Sequence, residues 1–118
     1  MSVKIKRIYE PYSPTDGYRI LIDRLWPRGV KKEGAHIDKW LKAIAPSTAL
    51  RKWFDHDPEK WEEFRKRYHD ELKRSTAISE LAAYVHEHKT LTLLFAAKNE
   101  KYNDAIALQQ FIDHHSQP

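Results

Sequence analysis

Residues 90–97 read Thr-Leu-Thr-Leu-Leu-Phe-Ala-Ala, a continuous apolar run rich in residue types that favour β-strands. A second run of this kind covers residues 18–23 and has Ile-Leu-Ile at its centre. Short apolar runs separated by helical segments are typical of parallel strands that are covered on both faces. Apolar and basic residues alternate over residues 4–8, which predicts a third, half-covered strand. The sequence therefore predicts a short, mainly parallel sheet.

The segment between the second and third of these strands, in chain order, has helical periodicity. Apolar side chains recur at spacings of three and four over residues 61–72, which places them on one face of a helix. Asp57-Pro58 supplies a capping acceptor followed by a proline, and Ser47 is a similar cap for a short helix. Further helices are predicted over residues 38–45, 47–54, 78–85 and 105–112.

This order of elements favours a small layered α/β domain with a helical insertion between the second and third strands, because parallel strands need crossover connections. We expect one domain over residues 1–118, with an ordered core from about residue 3 to residue 112. The connection over residues 10–17 fits either a hairpin or an irregular loop, so the pairing of the first two strands stays open.

The composition excludes several classes of protein. With 41% hydrophobic and 32% charged residues, the chain of 118 residues has the proportions of a globular protein. It has no cysteine, which excludes a disulfide framework and a thiolate nucleophile and favours a reducing, cytoplasmic setting. No secretory or membrane-spanning stretch is predicted. The net charge of +4 favours anionic binding partners.

Polar and aromatic side chains follow the ends of two predicted strands. Residues 23–29, Asp-Arg-Leu-Trp-Pro-Arg-Gly, come after one strand, and Lys98 and Asn103 come between the other strand and the last helix. Ligands of open parallel sheets bind beyond the carboxyl ends of the strands. There Arg24 and Arg28 would hold a phosphate or carboxylate, and Trp26 would stack on a flat group. The sequence therefore predicts an anion site at this rim.

Simpler interpretations of the same residues stay open. Arg24 could pair with a neighbouring carboxylate, and Trp26 could be a hydrophobic plug. An acid-imidazole-acid run occurs at residues 55–57, but Asp57 already caps a helix, so we expect no metal site. No cofactor is expected either, because no Walker loop or dinucleotide-binding fingerprint occurs in a chain with 3 Gly.

Several of these stretches resemble a known family. Residues 16–19 (DGYR), 23–29 (DRLWPRG), 50–56 (LRKWFDH) and 93–98 (LLFAAK) are similar to the YeaO-like branch of the domain-of-unknown-function 488 family. The resemblance implies a small bacterial cytoplasmic α/β protein and no particular activity. Longer relatives carry Cys-His-Arg where this chain has residues 103–105, Asn-Asp-Ala, so a thiol-linked function does not transfer. The polar side chains at matching motif positions are Asp23, Arg24, Arg28, Arg51, His56, Lys98 and Asn103.

These observations together predict a domain that binds a small anionic, phosphorylated or nucleotide-like ligand. If the chain is an enzyme, His56 or Asp23 is the expected acid or base, because an imidazole titrates near neutral pH and Asp23 lies at the rim. The reaction would then be a hydrolysis or a group transfer. A nucleic-acid-binding module and a structural subunit of a homo-oligomer are the alternatives.

Overall fold

Four parallel strands form the central sheet of the computed structural model, which describes residues 2–98 and 101–115. In chain order they are β1 (Ser2–Arg7), β2 (Tyr18–Leu21), β3 (Lys39–Trp40) and β4 (Thr90–Phe95). Their order across the sheet is β1-β4-β2-β3, so the last strand lies between the first two. The predicted parallel α/β fold is confirmed. The first two strands form no hairpin, since each of them pairs with β4.

The described residues form four α-helices beside the sheet: α1 (Thr48–Phe54), α2 (Trp61–Lys73), α3 (Thr76–Glu87) and α4 (Asp104–His115). Both predicted caps are present. Ser47 Oγ accepts a hydrogen bond from the Leu50 N–H at 3.1 Å, and Asp57 Oδ1 accepts one from the Glu59 N–H at 3.0 Å. Over the described residues, none of these helices has the length and apolar character needed to cross a membrane.

The prediction of a helix over residues 38–45 is wrong. This segment contains β3 and then a short 3-10 turn, Lys42–Ile44. The edge of β2 accounts for the difference, because its carbonyl groups accept hydrogen bonds from the segment: Asp38 N–H donates to the Arg19 carbonyl at 2.9 Å, and Leu41 N–H donates to the Leu21 carbonyl at 2.9 Å. The connection from β2 to β4 therefore begins with a strand and becomes helical only afterwards.

The two faces of the sheet are covered in different ways. The larger core lies between one face and the helices, where Ile20 and Leu93 of the sheet pack with Phe64 and Leu108. The opposite face buries a smaller cluster, in which Leu21 and Leu94 contact side chains of the segment after β2. The strand sequences are apolar at consecutive positions because side chains on both faces of the sheet pack against apolar partners.

A buried ionic network lies beside the smaller cluster. Asp16 accepts hydrogen bonds from Arg19 Nη1 at 2.7 Å and from Lys6 Nζ at 3.0 Å. The next residue, Gly17, has φ of +70°, and a Cβ there would lie 2.2 Å from the carbonyl oxygen of Thr90. Only glycine fits this approach of the chain to β4. The turn that precedes β2 is therefore fixed by an ion pair and by a close backbone contact.

Candidate functional site

A pocket of about 400 Å³ lies at the carboxyl ends of β2 and β4. All but one of the predicted site residues line it: Asp23, Arg24, Trp26, Arg28, Arg51, His56 and Asn103. The exception is Lys98, which is exposed and is not among the residues that line the pocket. Of the expected core over residues 3–112, positions 99 and 100 lie outside the described residues. The two strand ends that the sequence singled out thus meet at one pocket.

The loop after β2 is held by hydrogen bonds at several points. Asp23 Oδ2 accepts a hydrogen bond from the Ala96 N–H at 2.8 Å, which ties the loop to the end of β4. The Trp40 indole N–H donates to the Asp23 carbonyl at 2.7 Å. Farther along, the Tyr9 hydroxyl donates to the Arg28 carbonyl at 2.9 Å. The backbone that carries the two loop arginines is therefore fixed at both ends.

Trp26 is only half-exposed and has contacts of its own. Its indole N–H donates to the Val30 carbonyl at 2.6 Å, and its ring lies edge-on to that of Trp40 with centroids 5.4 Å apart. Lys32 Nζ lies 5.9 Å from the same indole ring. The side chain thus serves as part of the loop's small core, and the remainder of its surface lines the pocket.

Three arginines line the pocket. Arg24 and Arg28 of the loop and Arg51 of α1 are exposed, and none of the three forms an ion pair with a described residue. Among the residues that the structure describes, Arg24 therefore has no salt-bridge partner. Unpaired guanidinium groups around one cavity are the arrangement that binds phosphate or carboxylate groups.

Two carboxyl groups lie in the same pocket, and both are partly buried. Burial raises the pKa of Asp23, although the Ala96 N–H and the charge of Arg51 oppose the rise. Burial and then the nearby charge of Asp23 raise the pKa of Asp104 to about 7. Arg51 acts on both carboxyl groups, so the three side chains form one electrostatic unit. Pairs of carboxyls with separated pKa values are common at functional sites.

Sequence reasoning missed Asp104. Asn103 Oδ1 accepts a hydrogen bond from the Ile106 N–H at 3.0 Å, as an N-cap does, and α4 begins one residue before the predicted range of 105–112. Asp104 is the next residue and lies in the first turn of α4. The sequence does show a carboxylate directly after a helix cap, which could have indicated a site residue. The burial of Asp104 could not be predicted, because it depends on tertiary packing.

His56 lies at the exposed side of the pocket, in the turn after α1. It and Asp55 have the left-handed backbone conformation, with φ of 57° and 46°. The His56 ring lies 6.4 Å from that of Phe54, which also lines the pocket. In the part of the chain that the structure describes, no group of three or more acidic and imidazole side chains is arranged to hold a metal ion.

Aromatic side chains lie among the charged groups of the pocket. Phe54 and Phe64 stack with ring centroids 4.3 Å apart, and Tyr9 and Tyr102 also line the pocket. The pocket therefore combines exposed cations, aromatic walls and a partly buried pair of acids. Such a combination suits a small ligand with a flat ring and an anionic group.

Comparisons with known proteins agree with the resemblance of the sequence. The family model described as "Inactive DUF488-N3 subclade" matches residues 2–117. The uncharacterized protein YeaO of Escherichia coli is 42% identical over 112 residues, which cover 95% of this chain and 97% of YeaO. The uncharacterized protein Rv3073c of Mycobacterium tuberculosis is 37% identical over 111 residues, which cover 94% of this chain and 93% of that protein. No solved structure matches the chain. The chain is a YeaO-like protein and belongs to the inactive DUF488-N3 subclade of the DUF488 family.

Proposed function

We propose that the chain is a cytoplasmic protein that binds a small anionic ligand, phosphorylated or nucleotide-like, in the pocket at the carboxyl ends of β2 and β4. The observation that carries this proposal is the placement of Arg24, Arg28 and Arg51 around one cavity of about 400 Å³, with no ion pair to a described residue. Structural arginines are normally paired, whereas arginines that bind ligands leave their donors available. The lack of cysteine is consistent with the cytoplasmic assignment.

Binding without catalysis is the form of this proposal that the comparisons support, because the matching subclade is described as inactive. If the pocket does catalyse a reaction, His56 and Asp23 are the acid and base candidates, and hydrolysis or group transfer is the class. Both residues line the pocket. Catalysis would therefore act on a ligand bound in the same position. A ligand that binds but is never converted to product would support binding without catalysis.

The test is a thermal-shift titration with inorganic phosphate, ribose 5-phosphate and nucleoside monophosphates at low salt. A ligand at 100 times its Kd stabilises the folded state by about 2.7 kcal/mol. We expect stabilisation of the wild-type chain and none of the Arg24→Ala/Arg28→Ala double variant. The matched control is Lys66→Ala/Lys73→Ala, which removes two exposed charges of α2 that do not line the pocket. Binding that survives the arginine replacements would overturn the proposal.

The same variants separate the other two hypotheses. If the arginines contact a nucleic-acid strand, a single-stranded oligonucleotide binds more tightly than any mononucleotide, and the affinity falls steeply with salt. If the pocket face instead joins two copies, sedimentation shows an oligomer, with exposed Leu25 beside the arginines as the apolar contact. A monomer that binds mononucleotides and not oligonucleotides supports the small-ligand proposal.

A further inference from the structure

We propose that the pocket selects ligands whose second functional group is an amino-bearing heteroaromatic ring, held by Asp23 and Asp104, as in a nucleoside monophosphate whose base has an exocyclic amino group. This inference rests on the proposed function, because it assumes that the arginines hold the anionic group of the same ligand. It identifies the chemical group at the end of the ligand opposite the anionic group.

The first step is the separation of charge within the pocket. Arg24, Arg28 and Arg51 are exposed, whereas Asp23 and Asp104 are partly buried. A simple anion would satisfy the guanidinium groups but would place a further negative charge close to the two carboxyl groups. A ligand with hydrogen-bond donors at the opposite end matches both parts of the pocket.

The second step is the state of the two carboxyl groups. Asp23 uses Oδ2 to accept the Ala96 N–H, and no described residue donates a hydrogen bond to its Oδ1. Asp104 lines the same pocket, where burial and the charge of Asp23 raise its pKa, although backbone N–H groups and the charge of Arg51 oppose the rise. Donors from a ligand would add to this stabilisation of the two carboxyl groups. A buried carboxylate gains most from such donors because water is a weak competitor there.

The third step is the shape and lining of the space between the charged groups. Tyr9, Trp26 and Tyr102 contribute accessible aromatic surface to a pocket of about 400 Å³. This volume lies within the range of roughly 300–1,000 Å³ typical of small-molecule sites. An aliphatic diamine or a sugar phosphate makes little use of such walls, whereas a nucleobase stacks on them. The aromatic lining therefore favours a ring as the carrier of the donors.

The fourth step is the chemistry that distinguishes one base from another. An exocyclic amino group donates two N–H bonds and suits a carboxylate, which only accepts. A carbonyl oxygen at the same position would place its lone pairs against those of the carboxylate. A hydrogen bond to a charged group contributes about 1.5–3 kcal/mol, which corresponds to roughly a tenfold to hundredfold difference in Kd.

Titration calorimetry with two matched pairs of nucleotides tests this inference. GMP differs from IMP by the exocyclic amino group, and CMP carries an amino group where UMP has an oxygen. We expect the wild-type chain to bind GMP about tenfold more tightly than IMP, and CMP more tightly than UMP. At pH 8, where Asp104 is ionised, the Asp104→Asn variant should lose most of the preference for GMP over IMP, because it keeps the shape of the side chain and removes the carboxylate. Asp113→Asn, an exposed change on the same helix, should keep that preference.

The outcomes separate this inference from the proposed function. Equal affinities of the wild-type chain for GMP and IMP, with binding that still requires Arg24 and Arg28, would overturn the amino-group inference and leave the anion site in place. A preference for IMP or UMP would also overturn the inference. If inorganic phosphate binds and no nucleotide does, the anion site is supported and the inference of a heteroaromatic ring is overturned. If neither binds, both proposals fail.

Discussion

Replacement of Asp104 by asparagine should stabilise the protein at alkaline pH and have much less effect in mild acid. Burial, and then the charge of Asp23, raise the pKa of Asp104 to about 7 in the folded state, from the ordinary value of 3.8. The folded chain therefore keeps this proton over a pH range in which the unfolded chain has already lost it. By linkage, the free energy of unfolding falls as the pH rises between these two values and is constant above the higher one.

The size of the effect follows from the pKa difference. One pKa unit corresponds to about 1.36 kcal/mol, and about two units lie between pH 5 and the folded-state pKa. Wild-type stability should therefore lose about 2–3 kcal/mol through Asp104 between pH 5 and pH 8. The Asp104→Asn variant lacks this loss, because an amide does not titrate. Its stability relative to the wild type should rise by about the same 2–3 kcal/mol over that interval.

Urea unfolding at pH 5 and at pH 8, followed by tryptophan fluorescence, measures this difference directly. The control is Asp113→Asn, which makes the same change of charge at an exposed position of α4 and should have the same small effect at both pH values. If Asp104→Asn changes the free energy of unfolding equally at pH 5 and pH 8, the electrostatic description of the pocket is refuted. Greater destabilisation at pH 8 than at pH 5 would refute it as well.

Three further predictions concern the scaffold and are measured by urea unfolding. Gly17→Ala should destabilise the fold by more than about 2 kcal/mol, because a Cβ would meet a β4 carbonyl oxygen at 2.2 Å and φ is +70°; a change below 1 kcal/mol would contradict this. Tyr68→Phe should cost about 1–3 kcal/mol, since it removes the buried 2.7 Å hydrogen bond to the Ile44 carbonyl; full retention of stability would show that water replaces the hydroxyl. Asp16→Asn should cost about 3–5 kcal/mol because it leaves a buried arginine charge uncompensated, whereas Glu63→Gln, in an exposed pair, should cost less than about 1 kcal/mol; equal costs would be inconsistent with a buried ion pair.

The elements that the sequence predicted correctly are those with a local pattern. The apolar run that became β4 and the stripe of α2 both reflect burial that repeats along consecutive residues. Strand β3 has two residues, too few for any periodicity. The N–H groups on either side of it donate to the carbonyl groups of Arg19 and Leu21, which are distant in sequence. The order of strands across the sheet is likewise a long-range property, which no single stretch encodes.

The candidate site was predictable for a different reason. In a parallel sheet, the carboxyl ends of neighbouring strands meet at one edge, so residues after β2 and after β4 converge wherever the two strands lie side by side. That rule places Arg24 and Asn103 at one pocket. It does not determine which way the chain turns beyond the strand, and Lys98 is not among the residues that line the pocket. The burial of Asp104 also depends on packing between distant parts of the chain.

The insertion of β4 between β1 and β2 has a consequence for the order of events during synthesis. On a ribosome, both outer neighbours emerge long before the strand that joins them, since Ser2 pairs with Thr90 and Tyr18 pairs with Leu91. Until then, the edges of β1 and β2 that will face β4 have no partner. The contacts that complete the sheet join residues far apart in sequence, and such contacts slow folding. Until the final third of the chain has been translated, a nascent chain of this topology therefore keeps the edges of β1 and β2 that face β4 unpaired.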